Sequence, residues 1–286
     1  MNTITLTLTL KQIEKLKNTF KDNIVNKEIP YVNFQLKLEN CTITVYTTNK
    51  VVFQGNDSNI YASAFNDNIF INQAGSDEVG TGDYFGPITV CACIVNENNY
   101  NKIKDLNIQD SKALTDDFIL DIAPTLMELL PYSLLIVDNK KYNQIHSNYN
   151  LNKIKALLHN QAYINLNKKQ KLPSLLIVDQ FTKEHNYFNY LKYEKEIIKN
   201  IHFETKAESK YISVACASII ARYAFLKKWE EMENKYNFKF TKGASSKVDN
   251  DGVKFIKQFG EEQLKNVAKL HFKNTEKIKS IINQQP

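Results

Sequence analysis

Residues 75–87 read GSDEVGTGDYFGP, which combines two adjacent carboxylates, Asp77 and Glu78, with four glycines and a proline. Neighbouring side chains of a strand point to opposite faces, so both acids can serve one site only where the strand bends. The glycines of residues 80–82 could supply that bend and would let a ligand approach the backbone closely. The spacing differs from that of a P-loop and of a dinucleotide-binding loop. The segment therefore predicts either an acidic functional site or an ordinary surface turn.

The chain downstream of this segment alternates between predicted strands and predicted helices. The predicted strands lie near residues 73–79, 87–95, 132–138, 175–180 and 201–206. Helical patterns cover residues 115–130, 150–166, 209–236 and 248–259. Such an alternation predicts an α/β domain built on a mixed sheet.

Further acids stand at the ends of these predicted strands. Asp179 follows the apolar run LPSLLIV, which puts it at the C-terminal end of a buried strand, where α/β sheets bind ligands. Asp138 ends a comparable run, and the local pattern does not choose between the two aspartates. Glu208 lies just before the long predicted helix, where it serves either a functional site or the helix N-terminus.

Convergence of these acids would have a chemical consequence. Several carboxylates in one cleft repel one another, so some of them should have raised pKa values. Divalent cations would relieve the repulsion, and hard carboxylate oxygens suit Mg²⁺ or Mn²⁺ rather than zinc. Two such ions would activate a water molecule and stabilise the leaving oxygen of a phosphodiester.

Residues 1–66, upstream of this segment, have a different order of predicted elements: a strand, a helix and three more strands. Its first ten residues alternate between apolar and polar positions, as in a strand with one buried face. The sheet could keep one face on the helix and leave one face free, for solvent or for sugar-phosphate contacts. The side chains expected on the free face are Thr3, Thr5, Thr7, Gln35, Lys37, Thr42, Thr44 and Tyr46. The polar residues 56–72 predict a short helix and a linker, which sets the domain boundary there.

Composition constrains the class of protein more loosely. The formal net charge of +6 favours a polyanionic partner, although lysine-rich surfaces also serve solubility alone. Arg222, the only arginine, is expected either to fork onto a carboxylate near the site or to form an ordinary salt bridge. The first ten residues lack the features of a signal peptide, and no apolar run is long enough to span a membrane. The four cysteines match neither a zinc site nor a disulfide framework, so buried free thiols in the cytoplasm are expected.

Taken together, six segments resemble the type 2 ribonucleases H, and specifically ribonuclease HIII. The resemblance spans residues 75–277, and the strand and helix order of the N-terminal part fits it as well. The six segments are GSDEVGTGDYFGP at 75–87, QDSKALT at 109–115, LLIVDQF at 175–181, FETKAESKYISVACASIIARYAF at 203–225, KGASSKVD at 242–249 and HFKNTEK at 271–277.

The resemblance implies a set of site residues and a fold. It selects Asp179 over Asp138 and makes the metal-binding, catalytic quartet Asp77, Glu78, Asp179 and Glu208. The glutamate at the fourth position, and Gly-Thr-Gly where ribonuclease HII has Gly-Arg-Gly, are both like ribonuclease HIII. The implied fold is α/β, a ribonuclease H-like mixed sheet flanked by helices over residues 67–286. Residues 1–66 would form a small α+β domain that resembles half of a TATA-binding protein and helps to hold the substrate.

The same resemblance implies the substrate and the residues that touch it. The expected partner is an RNA/DNA hybrid, bound near its 2′-hydroxyls. The expected contacts come from Gly80, Thr81, Gly82, Lys112, Lys242 and Gly243. One departure from the family pattern is Ser245, where another glycine is expected, and it concerns only the detail of that loop.

The expected reaction is hydrolysis of the RNA strand at an internal phosphodiester, leaving 5′-phosphate and 3′-hydroxyl ends. Asp77 is expected to bridge two Mg²⁺ or Mn²⁺ ions, with the other three acids completing their coordination, in a monomeric cytoplasmic enzyme. Cleavage at single ribonucleotides in DNA, as by ribonuclease HII, and hybrid binding without catalysis are the alternatives. A divalent-metal phosphatase unrelated to these nucleases is a more distant third.

Overall fold

The computed structural model describes residues 2–25, 29–66, 69–106, 108 and 114–284, which divide into two compact units. The first unit comprises Met1–Gln73 with the short pieces Asn96–Asn98 and Pro173–Leu175. The second comprises Ala74–Val95, Asn99–Leu172 and Leu176–Pro286. Within the described ranges, no helix is both long and apolar enough to cross a membrane.

The first unit is a five-stranded antiparallel sheet with the strand order β1-β5-β4-β3-β2. The predicted order of strand, helix and three strands is present, with the short strand β2 in addition. Its elements are β1 (Thr3–Thr7), α1 (Leu10–Thr19), β2 (Ile24–Val25), β3 (Val32–Lys37), β4 (Cys41–Tyr46), β5 (Lys50–Gly55) and α2 (Ser58–Ser63). Thr9 begins α1 with a capping box, in which the Thr9 and Gln12 side chains each accept a backbone N–H of the other residue.

Alternation along these strands separates a buried face from an open face. Leu36, Ile43 and Phe53 form the centre of a core that is closed by Ile13 and Leu16 of α1. On the other face, the cross-strand pairs run from Thr5 to Val52, from Val52 to Thr44 and from Thr44 to Gln35. The Gln35 amide donates to the Thr44 hydroxyl at 2.9 Å. The face predicted to be free of the helix is therefore lined by the expected threonines and glutamine, with Thr5 exposed and Thr44 at its centre only 5% exposed.

The second unit is an α/β fold around a five-stranded sheet of order β10-β9-β6-β7-β8. Strands β9 and β10 run parallel and β7 and β8 antiparallel, so the predicted mixed sheet is confirmed. Its strands are β6 (Gln73–Val79), β7 (Ile88–Val95), β8 (Tyr132–Val137), β9 (Leu175–Asp179) and β10 (Ile201–Glu204). Its helices are α3 (Glu97–Ile103), α4 (Asp116–Leu129), α5 (Asn139–His146), α6 (Leu151–Lys169), α7 (Glu184–Leu191), α8 (Ile212–Tyr236), α9 (Ser246–Phe259) and α10 (Lys273–Asn283).

Helix α8 packs closely on the sheet because its first turns carry small side chains. A Cβ atom added at Gly75 of β6 would collide with the Val214 amide nitrogen and the Ser213 backbone. The helix begins at Ile212, three residues later than predicted, and Ala207–Ser209 instead forms a separate 3-10 turn. Glu208 therefore lies in that turn and does not cap the long helix. The four cysteines are free and buried, as predicted.

Candidate active site

Asp77 lies near the end of β6 at the middle of the sheet, and its residue is only 7% exposed. Its carboxylate accepts the Glu78 backbone N–H at 2.7 Å and a hydrogen bond from Ser218 of α8. Burial raises the pKa of Asp77 to about 7, and the negative charges of Glu78 and Asp179 act in the same direction. The two hydrogen bonds oppose this rise without cancelling it. Asp77 thus lies in a field of negative charge from two of the other predicted acids.

Glu78, the next residue, is held by two basic side chains of α6. Lys155 forms an ion pair with its Oε1 atom, and His159 Nε2 lies 2.8 Å from its Oε2 atom. The far nitrogen of His159, Nδ1, lies 2.6 Å from the Ser76 hydroxyl. Burial alone would raise the pKa of Glu78, but the hydrogen bond and charge of His159 and the charge of Lys155 lower it below its usual value. Adjacent acids therefore have pKa values displaced in opposite directions.

Asp179 ends β9, the strand next to β6, and it lies beside the turn that carries Glu208. Its Oδ1 atom accepts the backbone N–H of Ala207 at 2.9 Å. Glu208 follows Ala207 in the 3-10 turn and is 4% exposed. The structure thus connects Asp179 both to Asp77, through charge, and to the residue before Glu208, through a hydrogen bond. Among the described residues, no three His, Cys, Asp or Glu side chains already lie close enough together to hold a metal ion.

Asp138, the competing aspartate of the sequence pattern, has a local structural function. It follows β8 at the edge of the sheet, and β7 separates that strand from β6. Its carboxylate accepts the backbone N–H of Lys141 at 2.7 Å and so caps α5. An N-cap aspartate satisfies a helix amide that otherwise has no partner. This geometry accounts for Asp138 without a functional site.

The glycine-rich segment after β6 forms a loop that is joined to the loop at Gly243. Asp83 Oδ1 accepts the Gly243 N–H at 2.6 Å, and the Tyr84 N–H donates to the Gly243 carbonyl at 2.9 Å. Gly80 has a φ of +92°, and a Cβ there would collide with the Pro87 carbonyl. Gly82 is exposed, with no atom within 4 Å of an added Cβ. Its backbone is therefore open to a ligand, whereas that of Gly80 is fixed by packing.

The fully buried Lys269 fixes the far side of this loop. Its amine donates to the carbonyls of Asp83, Phe85 and Gly86 at 2.8, 3.3 and 2.6 Å. Three acceptors match the three hydrogens of an ammonium group. Burial lowers the pKa of Lys269 to about 7, against the opposing effect of Asp83. Asn139 also donates to the Gly86 carbonyl, at 2.8 Å.

The remaining predicted substrate contacts lie beside this loop or outside the described residues. Lys242 pairs with Asp116 at 2.7 Å, and both side chains are 42% exposed. Arg222 donates to the same aspartate through Nε at 3.1 Å and Nη2 at 2.7 Å. Thr81 is half-buried in the turn that contains Gly82. Lys112 lies outside the described residues.

Three basic residues that contact the predicted site or its loop were not predicted from the sequence: Lys155, His159 and Lys269. Lys155 and His159 are four residues apart on α6, a spacing that marks one helix face. Polar side chains at that spacing usually mark the solvent face, so the pattern pointed away from the site. Lys269 has no such signal, because its carbonyl acceptors are more than 180 residues away in the chain.

Comparison with known sequences shows which protein family the chain resembles. The family described as Ribonuclease HII matches residues 74–275, and one described as Domain of unknown function (DUF3378) matches residues 3–71. Ribonuclease HIII of Bacillus pumilus is 39% identical over 299 residues, covering 96% of this chain and 97% of its own. Ribonuclease HIII of Enterococcus faecalis is 38% identical, covering 95% of this chain and 96% of its own.

Solved structures agree with the sequences. The crystal structure of Bst-RNase HIII in complex with Mn²⁺ is 35% identical and has a TM-score of 0.73, covering 99% of this chain and 100% of that chain. Aquifex aeolicus RNase H3 is 26% identical with a TM-score of 0.60, covering 93% of this chain and 99% of that chain. Because the family match spans more than half of the chain and the relatives match over nearly their whole length, the chain belongs to the ribonuclease HII family and, within it, to the ribonucleases HIII.

Proposed function

We propose that this ribonuclease H endonuclease hydrolyses the RNA strand of RNA/DNA hybrids at a site formed by Asp77, Glu78, Asp179 and Glu208. The observation that carries the proposal is the environment of Asp77. Burial at the centre of the sheet raises the pKa of this carboxyl, and the charges of two neighbouring predicted acids act in the same direction. A fold that keeps such repulsion in a buried place usually uses it for function.

The donor chemistry of the four acids fits divalent metal ions. All four offer carboxylate oxygens, the ligands that Mg²⁺ and Mn²⁺ prefer. A divalent cation would also offset the negative charge that now acts on Asp77. The related Bst-RNase HIII has been crystallised with Mn²⁺, which supports the same type of ion here. When bound, two such ions supply an activated water and charge stabilisation at the leaving oxygen of the phosphodiester.

The residues of this chain would supply position and charge around those ions. The Asp179 carboxylate is oriented by the Ala207 backbone amide and that of Asp77 by the Ser218 side chain, so each carboxylate has a hydrogen bond that limits its rotation. Glu78 remains ionised through its two basic partners. How the four acids divide the coordination, with Asp77 bridging, stays a prediction.

Recognition of the hybrid would come from the joined loops and from the open sheet face of the first unit. The exposed backbone at Gly82 allows close approach to a 2′-hydroxyl, the group that distinguishes RNA from DNA. Lys242 and Arg222, which share Asp116, together leave a net positive charge for a phosphate. The threonines and Gln35 of the open face are groups that commonly contact sugar and phosphate. The expected monomeric state and cytoplasmic location also stay predictions.

The decisive experiment compares Asp179→Asn with Asp138→Asn in cleavage of a labelled RNA/DNA hybrid with saturating Mg²⁺ or Mn²⁺. We expect Asp179→Asn to lose cleavage by at least about a hundredfold, because the amide removes a charge that the ions require. Asp138→Asn should keep activity, because asparagine caps a helix as well as aspartate does. Both variants should keep the circular dichroism spectrum of the wild type. Full activity of Asp179→Asn would remove the site assignment.

Parallel substrates separate the alternative functions in the same assay. Preferential cutting at a single ribonucleotide embedded in duplex DNA would indicate the specificity of ribonuclease HII. Tight hybrid binding without metal-dependent turnover would indicate a binding protein that has lost the reaction. Duplex RNA and duplex DNA, each with and without metal, serve as the negative controls.

A further inference from the structure

Helix α6 presents two buried basic residues to a single carboxylate. Lys155 is 7% exposed and His159 is fully buried, although residues of these types are mostly found at the surface or only partly buried. Their four-residue spacing puts them on one face of the helix. Each contacts a different oxygen of Glu78, Lys155 the Oε1 atom and His159 the Oε2 atom. Both oxygens of this one predicted metal ligand are therefore held by the same helix.

The orientation of the His159 ring is fixed at both ends. An ionised carboxylate only accepts hydrogen bonds, so Nε2 carries a hydrogen whether the ring is neutral or charged. At the opposite end, Nδ1 lies 2.6 Å from the hydroxyl of Ser76, which is fully buried in β6 two residues before Glu78. The ring thus joins two residues of the same strand. Such a bond at the far nitrogen is how proteins orient an imidazole that acts on a functional group.

Phe181 supports both basic residues from the side. Its ring stacks on that of His159, with centroids 5.4 Å apart and 20° between the planes. The Lys155 amine lies 4.1 Å from the centroid of the same ring. Because Phe181 follows Asp179 by two residues, the end of β9 also holds the pair in place. Helix α6, β6 and the segment after β9 together leave Glu78 little rotational freedom.

We propose that His159, supported by Ser76 and assisted by Lys155, is a positioning residue that holds the Glu78 carboxylate for the divalent ion and so sets the affinity of the site for that ion. The inference rests on the proposed function, in which Glu78 is a metal ligand. Groups that orient a metal ligand from behind typically change metal affinity or activity by roughly 10- to 100-fold when they are removed.

The test measures Mn²⁺ binding by calorimetry on the whole protein, without substrate. His159→Leu should weaken Mn²⁺ binding roughly tenfold or more. His159→Gln, which can donate an amide hydrogen toward Oε2, should recover most of that affinity. Ser76→Ala removes only the support at the far end of the ring, and should weaken binding by about threefold as one lost neutral hydrogen bond would. The recovery by glutamine separates positioning from a general packing defect.

A double-mutant cycle shows whether His159 acts through Glu78. In a Glu78→Gln background, His159→Leu should cause no further loss of Mn²⁺ affinity, because the group it positions has already lost its charge. Tyr163→Phe, one helical turn further along α6, removes a buried hydroxyl that does not contact Glu78. It serves as the matched control and should bind Mn²⁺ as the wild type does.

The outcomes distinguish this inference from the proposed function. Wild-type protein that binds no Mn²⁺ and leaves hybrid uncut contradicts both. Wild-type protein that binds and cuts, while His159→Leu and Ser76→Ala bind Mn²⁺ with unchanged affinity, overturns the positioning assignment alone. Equal losses for His159→Leu with and without the Glu78→Gln change also overturn it. If His159→Leu fails to fold, the glutamine and Ser76→Ala variants carry the same comparison.

Discussion

Asp77 and Glu78 are neighbours in the chain, yet the protein treats their charges in opposite ways. Burial and the charges of Glu78 and Asp179 disfavour the charged form of Asp77, although hydrogen bonds from the Glu78 amide and Ser218 partly offset this effect. Glu78 faces His159 and Lys155, so its charged form is favoured despite burial. The partners of the two carboxylates, which come from α6 for Glu78 and from α8 and β9 for Asp77, therefore decide which charge the fold favours.

The raised pKa of Asp77 predicts how stability changes with pH in metal-free protein. Unfolded, this aspartate has a pKa near 3.8, whereas in the folded protein it is about 7. Between these values the folded state retains a proton that the unfolded state has lost, so raising the pH favours unfolding. Asp77→Asn removes this dependence. As the pH rises from 4 to 8, we expect the unfolding free energy of Asp77→Asn to increase by about 2 to 4 kcal/mol relative to that of the wild type.

Urea denaturation in the presence of a chelator measures this difference. Asp117→Asn, an exposed aspartate in the first turn of α4, makes the same change in net charge and is the control. It should follow the wild-type pH profile. If the unfolding free energies of the wild type and Asp77→Asn changed with pH in parallel, the raised pKa of Asp77 would be contradicted.

Local sequence signals indicated the predicted acids unequally, and only the family resemblance selected Asp179 over Asp138 and included Glu208. Asp77 and Glu78 adjoin a glycine-rich turn, and Asp179 ends an apolar run. The residues that control these acids were not accessible. His159 lies 81 residues from Glu78 in the chain, and its position on an otherwise mixed helix does not indicate which strand it meets. Contacts of this kind follow only from tertiary packing.

At the scale of elements, contacts between parts of the chain that are distant in sequence hold the glycine-rich loop in place. The loop is joined to Gly243 through Asp83 and Tyr84. A backbone bridge between Phe85 and Ala268, with the Lys269 amine beneath, closes the other side. The loop is therefore rigid at its base, while Gly82 at its tip stays exposed.

Adding a methyl group at the tip of this loop and adding one within β6 should have contrasting effects. Gly82→Ala should leave the melting temperature nearly unchanged, because no atom lies within 4 Å of the added Cβ. It should raise KM for the hybrid about tenfold, as expected for loss of roughly 1.4 kcal/mol in binding. Gly75→Ala should instead destabilise the protein by about 1 to 3 kcal/mol, because its Cβ collides with the start of α8.

Thermal melts and steady-state kinetics on the hybrid check both variants together. A Gly82→Ala protein with wild-type KM would exclude close backbone approach at this tip. Unchanged stability of Gly75→Ala would contradict the tight packing of α8 on β6.

Sequence patterns predicted the longer elements well and the shorter ones poorly. Among the described residues, every strand except β2 matches a predicted segment, and most of these segments show alternation or an apolar run. Helices α3, α5, α7 and α10 were missed, since they are short and mostly polar. Their positions depend on caps and on packing, as with Asp138 at the start of α5, and both are decided by distant residues.

At the scale of the whole molecule, a net charge of +6 does not identify which surface meets a polyanion. A charge placed on the open sheet face of the first unit tests whether this surface binds the hybrid. Thr5→Glu puts a negative charge on that face, whereas Asn18→Glu puts the same charge on the exposed side of α1, which covers the other face. We expect Thr5→Glu to raise KM for the hybrid severalfold with kcat unchanged, because repulsion of phosphates weakens binding alone.

The measurement is a kinetic titration at two salt concentrations. Asn18→Glu should have the KM of the wild type, and the effect of Thr5→Glu should shrink at high salt as screening increases. Equal effects of the two substitutions would mean that net charge matters and that the open face does not bind the hybrid.

The amine of Lys269 donates hydrogen bonds to carbonyls of residues that precede it by more than 180 positions in the chain. Because translation proceeds from the N-terminus, a growing chain completes β6 and its acids long before the lysine that shapes the adjacent loop is added. Translation products that stop short of Lys269 therefore contain all four acids but lack the finished loop. We expect such a truncated chain to bind the hybrid weakly, because its glycine-rich loop lacks the amine that joins three of the loop's carbonyls.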